Sequence, residues 1–220
     1  MKVRIPEVEV MIDPLEVEAF NLWCRRYLSK LGYQEVYKSL CRYDVSEGKL
    51  IELGTGSGWL AIELLHLNKR YQIIGVDLSA EMLALARKNA ATFHLESSSL
   101  NFVAADVGKL PFPDNAFDAA VSYASLHHWS GNLPAIFKEI RRVVKNEGFI
   151  TIHDLKREPK SLTFLKAIPS TIVRKSFESS VRAAYTPAEM STLLKASQIT
   201  EDWQVIENTL GFGIEGRVIK

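Results

Sequence analysis

Apolar positions along this chain switch repeatedly between a strand-like spacing and a helical one. From Pro14 to Tyr43, residues Leu15, Ala19, Leu22, Tyr27, Leu31 and Tyr37 recur near every third or fourth position, which predicts helix with a break at Gly32. Lys49 to Leu53 predicts a short apolar strand, entered through Glu47 and Gly48. A glycine cluster follows, then an apolar-periodic helix from Trp59 to Leu67. Tyr71 to Val76, rich in β-branched residues, predicts a second strand ending at Asp77. Ser79 is placed to cap a helix that reaches Thr92. Leu100 to Ala105 predicts a third strand, ending at Asp106, and Phe117 to Tyr123 a fourth, entered through the turn Pro113-Asp114-Asn115.

An amphipathic helix is expected from Pro134 to Val144, closed by Arg141, Arg142 and Lys145. The turn Asn146-Glu147-Gly148 leads into a strand from Phe149 to His153. Thr186-Pro187-Ala188-Glu189 combines an N-cap, a first-turn proline and an acid at the third position, and opens a helix to Ala196. Trp203 to Glu207 and Phe212 to Ile219 predict two last strands, close enough for a hairpin around Leu210-Gly211.

Strand and helix thus alternate from Leu50 to Ala196, which predicts a mainly parallel sheet with helices on both faces. Ligands in such sheets sit beyond the carboxyl ends of the strands, near the switch in strand order. Lys156 to Ala184 departs from the alternation, carries Pro159 and Pro169 with an apolar stretch from Phe164 to Val173, and reads as a cap.

Composition narrows the function. The chain has 220 residues, 27 Lys plus Arg against 26 Asp plus Glu, and a net charge of +1. That balance argues against a large electrostatic footprint for nucleic acid. No apolar run approaches the roughly 20 residues that span a bilayer, and the N-terminus mixes Arg4, Glu7 and Glu9 among its apolar residues, unlike a signal peptide. Cys24 and Cys41 are too few for a disulfide framework or a zinc cluster and read as free thiols of a cytoplasmic protein.

The richest stretch is Leu50 to Trp59, where a strand becomes a helix. Gly54, Gly56 and Gly58 let the backbone turn tightly and approach a ligand, and the following helix start offers free amides to an anion. A nicotinamide fingerprint needs Gly-x-Gly-x-x-Gly, but counting from Gly54 the last position is Trp59, and counting from Gly56 it is Ala61. No Gly-Lys-Ser/Thr phosphate loop is present. Instead Glu52 stands two residues before the first glycine, where a carboxylate repels a pyrophosphate and suits an ammonium group.

Glu52-x-Gly54-x-Gly56-x-Gly58 resembles the first motif of the class I S-adenosylmethionine-dependent methyltransferases. Gly75-Val76-Asp77-Leu78-Ser79 is similar to the second, and Ala105-Asp106-Val107 with Leu110-Pro111-Phe112 and Phe117-Asp118 to the third region. Glu139-Ile140-Arg141-Arg142-Val143-Val144 followed by Gly148 is similar to the helix and turn before the fifth strand. The resemblance covers Leu50 to Leu155, about half the chain, and implies a small-molecule type of this family. The implied fold is a doubly wound α/β domain. Its mainly parallel seven-stranded sheet carries a C-terminal antiparallel hairpin and a helical cap from the N-terminus and an insertion. Residues 1–47 are then an N-terminal helical cap, 48–155 the cofactor core, 156–185 a cap insertion, and 186–220 the C-terminal helix and strand pair of one domain.

The resemblance also implies site roles. Glu52 attracts the ammonium of S-adenosylmethionine, directly or through water, while amides of Gly54, Thr55, Gly56 and Gly58 face its carboxylate. Asp77 accepts both ribose hydroxyls. Asp106 accepts the adenine amino group, and Leu78, Met82 and Val107 wall the adenosine. Tyr123 opens the stretch beneath the transferable methyl, and the product is S-adenosylhomocysteine. Candidate bases are His127 and His128, for which positioning or packing is the favoured reading. Further ligands at metal-binding spacing are missing around His66, His94 and His153, so no metal is expected. Trp129, Tyr185 and Tyr33, with Tyr37 and Tyr43, are candidates to line a lid over a small acceptor, built from residues 33–46 and 159–185. The rival functions are the same fold acting on a protein or RNA, and a non-catalytic module that binds the cofactor.

Overall fold

A computed structural model describes residues 3–7, 14–28, 32–95, 98–158, 170–197, 199, 203–208 and 211–220. Its seven strands form one sheet in the order β3-β2-β1-β4-β5-β7-β6. The strands are β1 (Gly48–Leu53), β2 (Tyr71–Asp77), β3 (Leu100–Ala104), β4 (Phe117–Tyr123), β5 (Val144–Leu155), β6 (Trp203–Glu207) and β7 (Gly211–Arg217). The first five pair in parallel, and β7 joins β5 and β6 antiparallel. The chain winds outward from β1 to β3, then crosses back to β4, so the switch in strand order falls between β1 and β4. The tip of the last hairpin, at Leu210, lies outside the described residues.

The alternation of side chains along each strand decides what each face buries. Ile51, Leu53, Ala120, Ile150 and Ile152 point to one face, under α5 (Leu133–Val143) and α7 (Pro187–Ala196). Leu50, Ala119, Val121 and Phe149 point to the other, under α2 (Tyr33–Arg42), α3 (Trp59–Leu67) and α4 (Ala80–Thr92). Helix α4 starts at Ser79, whose hydroxyl accepts the Met82 N–H at 3.1 Å, and α7 starts at the full capping box of Thr186 and Glu189.

The N-terminal helix is not continuous. Helix α1 (Pro14–Trp23) runs into a π-helical turn, Cys24–Leu28, and α2 begins afresh after Gly32; Leu31 lies outside the described residues. Leu15 and Leu22, expected on the packed face of α1, are exposed. The helix is held by Asn21, whose Oδ1 accepts from Trp59 Nε1 at 2.7 Å and from Asn89 Nδ2 at 2.9 Å. Trp23 and Val173 join α1 to α6 (Thr171–Ala183) in a small separate apolar cluster.

The turn expected at Asn146–Gly148 lies within β5 instead. Phe117 pairs with Val144 and Ala119 with Phe149, so β5 advances five residues where β4 advances two. The excess is taken up in a bulge with Glu147 at φ +61°.

Candidate functional site

Glu52 and Leu53 end β1 at the crossover, and the chain leaves the sheet through Gly54, Gly56 and Gly58 at φ +68°, +51° and +79°. These left-handed conformations strain any residue with a Cβ. Gly54 is needed for space as well, because a Cβ there would stand 1.8 Å from Ser125 Oγ. At Gly56 a Cβ would meet nothing within 4 Å, so this glycine forms the floor of an open crevice. The loop is stitched to the neighbouring strand by Thr55 N–H donating to Val76 O at 2.9 Å.

Three of the acids expected from the sequence stand at or just beyond the carboxyl ends of successive strands, and Glu52 and Asp77 border this crevice. Glu52 is buried on the α2–α4 face, and its Oε2 accepts from Thr55 Oγ1 at 2.6 Å. Burial pushes its carboxyl up to about 8; the Asp77 carboxylate adds to the rise and the Thr55 hydroxyl opposes it. Asp77 Oδ2 accepts the Gly56 N–H at 2.8 Å and Oδ1 the Ser79 N–H at 2.9 Å. Burial raises its pKa, and those amides restrain the rise. Each Asp77 oxygen keeps a second lone pair for a hydroxyl donor. Asp106 is exposed just beyond β3, and its Oδ1 accepts the Gly108 N–H at 2.7 Å. Leu78 is 65% exposed beside Asp77, a large apolar side chain with nothing over it, whereas Met82 and Val107 are buried.

This arrangement fits S-adenosylmethionine: a buried acid for the ammonium, open space over Gly56, a strand-end carboxylate for a diol, and an exposed apolar side chain beside it. Leu78 is the exposed one of the three side chains expected to wall the adenosine. Met82 and Val107 lie in the packing beneath.

At the end of β4, Tyr123 meets Tyr33 edge to face at 5.3 Å between ring centres. Gly32 lets this contact form, since a Cβ there would stand 2.1 Å from the Tyr123 hydroxyl oxygen. Burial raises the pKa of both phenols. Trp129 is a core residue and not part of a lid: it is buried with α5, and its Nε1 donates to Ser125 Oγ at 2.9 Å. Helix α2 packs on the sheet with Tyr33 at its start against Tyr123 and near Glu52, and the chain beyond it carries Tyr43 to stack on Phe149 at 4.2 Å. The part of the second lid segment at 159–169 lies outside the described residues. Its remainder, α6, packs against the 3₁₀ turn Leu126–His128. Tyr185 is half-buried under the Arg4 guanidinium, 4.1 Å from its ring centre, and lines a depression of about 470 Å³ with Thr186, Glu189 and Leu193.

The two histidines occupy different environments. His127 is buried; its Nδ1 lies 2.7 Å from Asp154 Oδ1, and its backbone N–H donates to Asp154 Oδ2 at 2.7 Å. Burial opposes protonation of this ring, but Asp154 and Glu7 together outweigh it and raise the pKa. His128 is part-exposed, and desolvation of its packed side, with His127 beside it, pushes its pKa down to about 3. Glu7 reaches both rings from an N-terminal strap, with Oε2 3.9 Å from His127 Nε2 and 3.6 Å from His128 Nδ1.

Sequence reasoning missed Asp154 and Glu7 as neighbours of the two histidines. Asp154 was open to discovery, because it stands near the carboxyl end of its strand as Asp77 does. Glu7 carries no such signal. The helix motif around Arg142 gains a physical reason: Arg142 donates to the carbonyls of Leu110 and Phe112 and pairs with Asp114 and Glu139, which clamps the loop after β3 onto α5.

Residues 51–152 match a family model described as a methyltransferase domain. The chain is 33% identical over 113 residues to a malonyl-[acyl-carrier protein] O-methyltransferase of Legionella pneumophila, covering 51% of this chain and 38% of that protein. It is 34% identical over 193 residues to an uncharacterized chloroplastic methyltransferase of Arabidopsis thaliana, covering 79% of this chain and 51% of that protein. The chain thus spans no more than about half the length of these two curated relatives. Its fold superimposes on the crystal structure of a SAM-dependent methyltransferase from Aquifex aeolicus with a TM-score of 0.68 at 18% identity, covering 94% and 100% of the two chains. Among the described residues, no helix is long and apolar enough to cross a membrane.

Proposed function

For a chain that carries a class I S-adenosylmethionine-dependent methyltransferase domain, we propose methyl transfer from S-adenosylmethionine to an oxygen, nitrogen or carbon atom of a small-molecule acceptor. The observation that carries this reading is the crevice at the β1–β4 switch, where Glu52, the glycine loop and Asp77 converge. When bound, the donor supplies an electrophilic methyl group on a positively charged sulfur. Glu52 holds the ammonium, and the glycine loop faces the carboxylate across the open space at Gly56. Asp77 takes the ribose hydroxyls and Asp106 the adenine amino group, against Leu78.

Displacement at a sulfonium methyl needs alignment and exclusion of water more than it needs a base. We assign His127 a positioning role on that ground, since Asp154 holds both its ring and its backbone. A small acceptor is supported by the near-neutral net charge, which gives little general attraction for nucleic acid. The Legionella relative is named for a malonyl group borne on an acyl-carrier protein, so acyl thioesters of a carrier are counted with the small acceptors.

The test incubates the purified chain with methyl-labelled donor and fractionated metabolites, acyl thioesters, total RNA and protein. Label in a small-molecule fraction is the expected result. Label confined to RNA or protein overturns the acceptor class. Calorimetric binding of S-adenosylhomocysteine with no transfer to any fraction would favour the non-catalytic module.

A further inference from the structure

The N-terminal strap Val3–Glu7 crosses the loop that follows β4 and is tied there by hydrogen bonds to residues distant in sequence. Arg4 Nε donates to Ala183 O at 2.6 Å and Arg4 Nη2 to His127 O at 3.0 Å. The Ile5 N–H donates to Arg182 O at 3.2 Å. These bonds bring the Glu7 carboxylate over the two histidines, where Ser180 Oγ donates to Glu7 Oε2 at 3.2 Å.

The ligand-capable atoms of Glu7, His127 and His128 lie within 4.8 Å of one another. His127 Nε2 is buried and has no hydrogen-bond partner. Asp154 explains the polarity of that ring. With a carboxylate oxygen 2.7 Å from Nδ1, the neutral imidazole carries its proton on Nδ1 and donates it in a hydrogen bond to Asp154. The lone pair is then left on Nε2, aimed toward a second carboxylate and a second imidazole nitrogen. Three electron-pair donors converge there, on a buried atom without a donor of its own.

A carboxylate bonded to the far nitrogen of a histidine is the usual outer support of a metal-binding imidazole. Tetrahedral coordination at the usual metal–ligand lengths places donor atoms about 3.4 Å apart. The observed separations of 3.6 and 3.9 Å are near that value. Two imidazoles and one carboxylate form a donor set of borderline softness, suited to zinc and its first-row neighbours, and they leave a fourth position for water or an acceptor oxygen.

We propose that Glu7, His127 and His128 bind a divalent first-row metal ion, which pins the N-terminal strap across the carboxyl ends of β4 and β5. Asp154 is the positioning residue of this site. The sequence hid it because Glu7 stands 120 residues before His127.

The test uses the full chain, stripped with a chelator and carrying Cys41→Ser to remove the exposed thiol. Zinc is titrated by calorimetry and in competition with a chromophoric chelator. The expected result is one zinc per chain, with affinity lowered at least tenfold by Glu7→Gln and by His128→Ala. These two changes touch the strap and an exposed ring, so the fold is expected to survive them. Asp154→Asn should weaken zinc by about 10–100-fold. Hydrogen exchange should show zinc-dependent protection of residues 3–7 in the parent and none in Glu7→Gln. Absence of stoichiometric zinc, or an affinity that follows His66→Ala or His94→Ala instead, overturns the proposal. A proton bridging His127 and Glu7 in place of a metal appears as that first outcome. Binding of S-adenosylhomocysteine is measured on the same samples, so failure of the metal site and failure of the methyltransferase reading are separable.

Discussion

Replacing Glu52 by Gln tests the donor site through its protons. The Glu52 carboxyl sits at about 8, against 4.5 for an ordinary glutamate, because it is buried beside Asp77. At about pH 7 roughly one-tenth of such groups are ionised, and at about pH 6 roughly one-hundredth. An ammonium ligand selects the ionised form, so its affinity should rise about tenfold, or about 1.4 kcal/mol, for each pH unit up to the Glu52 pKa. Binding near neutral pH should release close to one proton. Calorimetry with S-adenosylhomocysteine in two buffers of different ionisation enthalpy measures that proton directly. Glu52→Gln should remove both the proton release and the pH slope, and should weaken binding at high pH by about 1.5–3 kcal/mol, as expected for a lost charge-assisted hydrogen bond.

The same shift governs stability. Between the unfolded value of 4.5 and the folded value of about 8, the native protein holds a proton that the unfolded chain has lost. Through this group, stability therefore falls as pH rises across that window. Glu52→Gln should accordingly raise the melting temperature of the ligand-free protein at the alkaline end. A parent affinity that stays flat across the window, with no buffer-dependent enthalpy, would refute the assignment of Glu52 to the ammonium.

Asp77→Ala should weaken S-adenosylmethionine and S-adenosylhomocysteine by about 1–3 kcal/mol, the usual cost of stranded polar partners; unchanged calorimetric affinity for both would remove Asp77 from the site. Gly54→Ala should abolish measurable S-adenosylhomocysteine binding, because the new Cβ collides with Ser125 Oγ in a left-handed backbone conformation, and retention of parent affinity by a folded variant would contradict that geometry. Arg142→Ala should destabilise the chain by about 1–3 kcal/mol in urea unfolding, since it strands the carbonyls of Leu110 and Phe112; a loss below about 0.5 kcal/mol, the usual scatter of surface substitutions, would show that the clamp is dispensable.

Much of the core was legible from sequence because its signals are local. A strand writes its burial at every second residue and a helix at every third or fourth, so the β1–α3–β2–α4–β3 succession can be read without knowing what lies against it. The glycine loop and the acids Glu52 and Asp77 were legible for a related reason: they stand where strands end, and strand ends in a parallel sheet gather on one edge. Periodicity was less reliable where packing is not regular. Leu15 and Leu22 keep helical spacing yet face solvent, because α1 is anchored through Asn21 and Trp23. Asn146-Glu147-Gly148 has turn residues, but pairing on both sides draws it into β5 as a bulge.

Only the tertiary structure decided the surroundings of the loop after β4. Trp129 and Tyr43 are aromatic in either setting, and it is the course of α2 and α5 over the sheet that makes them core. The contacts of His127 with Asp154 and Glu7 join three separate stretches of chain. No short-range pattern encodes them, because they arise when the strap, the loop after β4 and the end of β5 are brought to one edge by the packing of elements whose own sequences record only which face is buried.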